Sequence, residues 1–123
     1  MVDDVAPGTV RIEIPADQRY VALTRVAAAS LAADLDPVID DVEDLRIAVN
    51  ELVGHLVESS GGSGTVRLEL RLDDRTITVS GRTTARTEGP GPDELTRRIL
   101  NSTVDGYRTG DGEFTMHKHL DLV

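Results

Sequence analysis

Glu51 and His55 stand four residues apart in LRIAVNELVGHLVESS, residues 45–60, beside the apolar series Leu45, Val49, Leu52 and Leu56. On a helix that series buries one stripe, and the i,i+4 spacing brings the carboxylate and the imidazole within reach of each other. Such a pair suits acid/base chemistry or the holding of an ion. Two residues do not define a site, and on spacing alone charged helix surface is the favoured reading. His117 and His119 in MHKHL share one strand face, opposite Phe114 and Met116. Two imidazoles so placed can meet a metal, but no third ligand is identifiable, so polar surface is the reading and no metal site is expected. Glu88-Gly89-Pro90-Gly91 has the glycines of a phosphate-cradling loop but no lysine. Asp93 and Glu94 occupy the helix start where an anion would bind, which favours a plain turn.

The elements that must position these residues follow from periodicity. Thr9 to Ile14 alternates Val10, Ile12 and Ile14 with Arg11 and Glu13, the pattern of a strand with one buried face. Asp17 stands in capping position before RYVALTRVAAASLAADL, a helix that lines up Val21, Thr24, Ala28, Leu31 and Leu35 and stops before Pro37. Asp40, Asp41, Glu43 and Asp44 put negative charge on the first turn of the next helix, as its dipole prefers. Ser59 to Gly64 reads as a helix stop and loop rather than an interdomain linker. TVRLELRL, the turn Asp73-Asp74 and RTITVS form a hairpin, and Gly81 to Pro92 reads as a loop. DELTRRILNSTV predicts a short helix with Leu95, Ile99 and Val104 on one side, and two strands, around Tyr107 and from Glu113 to Leu120, complete the order. Strands apolar on one face predict an α/β domain of the α+β kind. It would be a two-layer sandwich whose mixed, mostly antiparallel sheet carries three helices on one face.

At 123 residues the chain predicts one domain, residues 1–123, with residues 1–8 as an N-terminal tail. It has no cysteine, which excludes disulfides, thiolate metal sites and cysteine nucleophiles. Neither G-x-S-x-G nor H-E-x-x-H occurs. With 22 acidic and 13 basic residues the formal charge is −9, and the aromatic residues are one Phe and two Tyr. Both facts argue against direct nucleic-acid binding, which needs basic surface and stacking platforms. No run of about 18 apolar residues is present, so no membrane partner is expected and the localisation read is cytoplasmic.

The element order and DLRIAVNELVGHLVESSGGSGTVRLELRL together resemble the anti-sigma factor serine-protein kinases of the histidine-kinase-like ATPase superfamily. DLRIAVNE is similar to the start of that family's nucleotide helix, and ILNSTVDGY to its closing helix and turn. The resemblance implies that Glu51 stands at the catalytic base position and that His55 replaces the Asn whose amide oxygen coordinates magnesium. Mg²⁺ prefers hard oxygen ligands in octahedral geometry, so an imidazole there holds it poorly. It also implies an Asp and two glycines after the strand RTITVS, to bind adenine. Directly after the strand stand Gly81, Thr83 and Ala85, whereas matching Gly89 and Gly91 to those glycines takes several extra residues and places Thr87 at the Asp position; neither alignment supplies the Asp. Glu94 and Thr96 fall where the phosphate lid should have glycines, and a glutamate repels a triphosphate.

The resemblance therefore implies a histidine-kinase-like ATPase fold with degenerate ATP-binding motifs, and an inactive or degenerate serine-protein kinase. The function it implies is anti-sigma-like regulation by binding a sigma factor and/or an anti-anti-sigma protein, with ATP binding and kinase activity weakened or lost. The alternative is an active ATP-dependent kinase that phosphorylates an anti-anti-sigma factor. No cofactor is expected, ATP and magnesium entering only if the degenerate site is competent. A homodimer is a further partner state, and a structural subunit unrelated to transcription is the plainest reading. For contacts, the surfaces to search are the sheet's polar face, with His117 and His119, and the loop from Gly81 to Pro92.

Overall fold

The computed structural model describes residues 8–87 and 89–123. The expected tail thus lies, except for Gly8, outside the described residues, as does Glu88. Strand β1 (Thr9–Pro15) leads through a single 3-10 turn (Gln18–Tyr20) into α1 (Val21–Ala33) and α2 (Ile39–Ser59). The hairpin β2 (Thr65–Asp73) and β3 (Thr76–Thr83), helix α3 (Glu94–Thr103), and the hairpin β4 (Gly106–Gly110) and β5 (Glu113–His119) follow. This is the order that the periodicities predict. The sheet runs β1-β2-β3-β5-β4. All four strand pairs are antiparallel, which corrects the expectation of a mixed sheet. Because β4 turns straight back into β5, β5 is the strand that meets β3, and no parallel pair arises.

Alternation places Ile14, Val66, Leu68, Leu70, Val79 and Met116 on the inner face, where they meet Leu45, Val49, Leu52 and Leu56 of α2. The expected α2 stripe is therefore core, widened by Ala48, Val53 and Val57. Helix α1 buries Val21, Thr24 and Ala28 as expected. Its last turn instead buries Ala32, while Leu31 and Leu35 are only half-buried, because the helix ends at Ala33 and Asp36 takes a left-handed φ of 56°. Asp17 caps the 3-10 turn, its carboxylate accepting from the Arg19 N–H. Helix α3 departs most from its pattern: Leu100 and Thr103 are buried, Ile99 is half-buried and Leu95 is 66% exposed. Only the C-terminal part of this ten-residue helix buries side chains, so an apolar residue in its first turn meets no surface.

Strand β3 runs on to Thr83, so Gly81, Arg82 and Thr83 belong to the sheet rather than to the expected loop. Gly81 is needed there because a Cβ would collide with the Phe114 ring on the neighbouring strand. The same alternation that turns His117 and His119 to solvent turns Lys118, the chain's single lysine, inward. It is 7% exposed, with Nζ 3.6 Å from Asp41 and 3.9 Å from Asp44. Of these two aspartates only Asp41 lies in the first turn of α2, with Asp40, so it serves both the helix dipole and the buried ammonium, whereas Glu43 and Asp44 fall beyond the first turn in which they were expected. Asp41 Oδ2 also accepts from the Asp121 N–H at 2.6 Å, and the C-terminal segment is held further by the bridge between Pro37 and Leu122.

Candidate functional site

Three turns of α2 supply one wall of a cleft. Burial of Leu45, Val49, Leu52 and Leu56 fixes the helix rotation, and that rotation sets Asn50, Glu51, Gly54, His55, Glu58 and Ser59 along its rim. The 3-10 turn closes one end, where Gln18 Nε2 donates to the Gly54 carbonyl at 3.2 Å. Gly89, Pro90, Gly91, Asp93 and Thr96 form the opposite wall, enclosing about 500 Å³. A second cavity of about 350 Å³ continues inward, lined by Leu52, His55, Leu56, Thr87, Gly112 and Phe114 among others. His55 lines both. The fold therefore brings Glu51, His55, Gly89 and Gly91, the four residues singled out from the sequence, to one place. Thr87 and Thr96 are there too.

Within the cleft, His55 Nε2 lies 3.5 Å from Ser59 Oγ, one helical turn further on. The i,i+4 spacing from His55 was the signal for Ser59, which sequence reasoning passed over as part of a loop. Asp93 is the N-cap of α3: its Oδ1 accepts from the Thr96 N–H at 2.8 Å. The Thr96 N–H, then the Thr96 hydroxyl, hold the Asp93 carboxyl below the usual aspartate range, and the positive charges of Arg97 and His55 act in the same direction. A carboxylate therefore stands at the helix N-terminus, the place where a phosphate would otherwise collect N–H donors. The loop is pinned beside it by Arg97, whose Nη1 donates to the Pro92 carbonyl at 2.6 Å. Gly89 has φ +91°, which only glycine adopts without strain, whereas a Cβ on Gly91 would meet nothing within 4 Å. The loop's shape demands the first glycine and not the second.

The lining contains Glu51, Glu58 and Asp93 as carboxylates and no lysine or arginine. Among the described residues, no three His, Asp or Glu side chains converge as a metal site. His117 and His119 lie away from the cleft, on the solvent face of β5 across the sheet from the helices. His119 Nδ1 is 3.5 Å from Thr76 Oγ1. That face is otherwise a ladder of ion pairs, Arg67 to Glu13 at 2.6 Å, Arg82 to Glu113 at 3.1 Å and Arg11 to Glu69 at 3.2 Å. The Arg67 guanidinium, then the Thr65 hydroxyl, draw the Glu13 carboxyl below its ordinary value.

No protein-family model matches the chain. The anti-sigma F factor of Clostridium beijerinckii is 28% identical to it over 118 residues, 91% of this chain and 80% of that protein. The serine-protein kinase RsbW of Bacillus cereus is 29% identical over 92 residues, 66% of this chain and 58% of that protein. Among solved structures, the RsbU and RsbW domains of Rv1364c from Mycobacterium tuberculosis superpose with a TM-score of 0.70 at 18% identity, over 94% of this chain and 34% of that one. No described helix is long and apolar enough to cross a membrane. The resemblance read from DLRIAVNE and the element order thus holds over most of the sequence and in the fold: the chain is similar to anti-sigma F factors and to RsbW serine-protein kinases, and it shares the α+β fold of a solved structure that contains RsbU and RsbW domains.

Proposed function

We propose that this chain is an anti-sigma-like regulator that binds a sigma factor and/or an anti-anti-sigma protein, with ATP binding and kinase activity weakened or lost. The observation that carries the second half is the composition of the α2 cleft. Glu51 lines the cleft at the position the resemblance gives to the base, the His55 imidazole lines it at the position the resemblance gives to the magnesium ligand, and two further carboxylates, Glu58 and Asp93, line the same volume. Magnesium requires hard oxygen donors in near-octahedral array, and the group around His55 does not fit it. On the adenine side, Thr87 offers a hydroxyl where a carboxylate is needed to accept an amino hydrogen. The regulatory half rests on the relatives, which are anti-sigma F factors and RsbW kinases, and on an acidic chain suited to steering towards a basic protein surface.

Retention of Glu51 in an open cleft favours the second reading, a serine-protein kinase acting on an anti-anti-sigma factor with another divalent ion at His55. Affinity purification of the tagged chain from its native cell separates these. The proposal expects a sigma factor or an anti-anti-sigma protein to co-purify, with that partner unphosphorylated on serine when the complex is incubated with ATP and Mg²⁺ or Mn²⁺. Recovery of neither protein sinks the regulatory half, and a phosphoserine on the partner sinks the loss of catalysis. A second copy of the chain is a further partner of this reading.

A further inference from the structure

The solvent face of the sheet is charged differently from the rest of the chain. Alternation sets Arg11, Arg67, Arg71, Arg82 and Arg108 on it against Glu13, Glu69, Asp73 and Glu113, whereas the whole chain has 13 basic and 22 acidic residues. The glutamates are already committed. Glu13 holds Arg67, Glu113 holds Arg82, and Glu69 is divided between Arg11 at 3.2 Å and Arg71 at 3.6 Å. Arg108 is exposed and makes no ion pair among the described residues. The surplus positive charge therefore sits in two places, around Glu69 and at Arg108. Between them the side chains are short. The register sets Arg71 beside Thr78, Glu69 beside Ser80, Ser80 beside Thr115 and Thr115 beside Arg108. Ser80 Oγ lies 3.5 Å from Thr115 Oγ1, and both line a shallow trough of about 730 Å³ that Arg11 and Glu69 border. Arg71 on β2 and Arg108 on β4 thus flank a low hydroxyl floor, three strand spacings or about 14–15 Å apart across the sheet.

We propose that this floor receives an extended acidic segment of a partner protein, with carboxylates at positions i and i+4 of that segment on Arg71 and Arg108. An extended chain advances about 3.4 Å per residue, so side chains four residues apart leave the same side about 13–14 Å apart, the separation of the two arginines. A helical segment does not span it, since its i and i+4 side chains start only about 6 Å apart. Residue i+2 of the extended segment faces the hydroxyls of Thr78, Ser80 and Thr115, which donate to or accept from a polar side chain and give an apolar one no surface to bury. Carboxylates suit the flanks because Arg108 is without a counterion there and Arg71 has only a share in one. The contacts are exposed ion pairs, individually weak and screened by salt, so the segment dissociates on the order of a millimolar. The site lies across the sheet from the α2 cleft and does not depend on what the cleft binds.

Amide shifts of the isotope-labelled full chain, titrated with synthetic peptides, test this. The probe is acetyl-Gly-Glu-Thr-Ser-Thr-Glu-Gly amide, and the comparison peptide moves its second glutamate one residue closer, which turns that carboxylate to the other side of an extended chain. The expected result is saturable shifts at Thr78, Ser80, Arg108 and Thr115, with the comparison peptide at least about threefold weaker. Arg108→Glu should weaken the probe at least about fivefold, with an unchanged urea midpoint showing that the fold is intact. Arg46→Glu, the same change of charge on exposed α2 surface, should leave its affinity within about twofold. A chain that shows no saturable shift overturns the proposal, as do equal binding of the two peptides, shifts confined to the helices, or an Arg108→Glu chain that loses no more than Arg46→Glu does. Shifts of the same four amides on diluting the chain without peptide would put a second copy on this face and overturn it too.

Discussion

Replacing Lys118 by Met should unfold the C-terminal end of the sheet from α2 more readily than any change of a surface charge. The ammonium is 7% exposed, 3.6 Å from a carboxylate oxygen of Asp41 and 3.9 Å from one of Asp44. At an effective dielectric constant of about 20, a unit pair at this separation attracts by about 4–5 kcal/mol, much of it offset by the desolvation of both ions. Removing one partner of a buried pair nevertheless costs about 3–5 kcal/mol, because the other charge is left behind. Here Asp41 keeps the Asp121 N–H and the α2 N-terminus, so the expected loss is smaller, about 2–3 kcal/mol. With a urea slope of roughly 1–3 kcal/mol per molar, that lowers the unfolding midpoint by about 1–2 M. Adding Asp41→Asn removes the stranded charge while an amide oxygen still accepts from Asp121, so the double variant should be more stable than Lys118→Met alone. A double-mutant cycle by urea unfolding measures the coupling, expected to be at least about 1 kcal/mol. A single-variant loss below about 0.5 kcal/mol, or a cycle with no coupling, refutes the reasoning.

Gly89→Ala should strain the loop at its positive φ and cost about 1–2 kcal/mol, whereas Gly91→Ala should change stability by less than about 0.5 kcal/mol; thermal or urea melts of both decide it. Gly81→Ala should be worse than Gly91→Ala by about 1–3 kcal/mol in the same melts, since its methyl enters the Phe114 ring. Asp93→Asn should flatten the acid limb of the stability curve. The folded carboxyl lies below its unfolded value of about 3.9, so its contribution is complete above that pH and fades as pH falls through the folded value. Urea midpoints taken across that range check this, and a limb unchanged in the variant counts against the cap. His55→Asn should not by itself confer nucleotide binding, because Thr87 and Asp93 remain; heat of binding in a calorimetric titration with Mg-ATP contradicts this.

The element order was legible because each segment carries its own period. TVRLELRL alternates, the α2 stripe repeats at helical spacing, and the glycines after Ser60 stop the helix. The solvent side of His117 and His119 followed from the same alternation. What was not legible depended on partners distant in sequence. Lys118 looks like a surface charge until Asp41 and Asp44, on a helix more than 70 residues earlier, are seen across from it. Leu95 and Leu23 look like core residues by type, but apolar type does not reveal whether a surface lies opposite, and neither has one among the described residues. The site was half legible. Glu51 and His55 were readable as a pair on one helix, while their meeting with Gly89, Gly91 and Asp93 depends on how the segment after β3 folds back over α2. The absence of a parallel strand pair was invisible for a similar reason, since no local pattern states which strand of the last hairpin meets β3.

Under the proposed function, the α2 cleft carries Glu51 but does not fit a magnesium nucleotide. Isothermal titration of the full chain with ATP to millimolar concentration, in Mg²⁺ and separately in Mn²⁺, tests it most directly. The account predicts heats of dilution alone in both. A saturable heat in either would contradict it, and one that Glu58→Lys strengthens would place the nucleotide in this cleft.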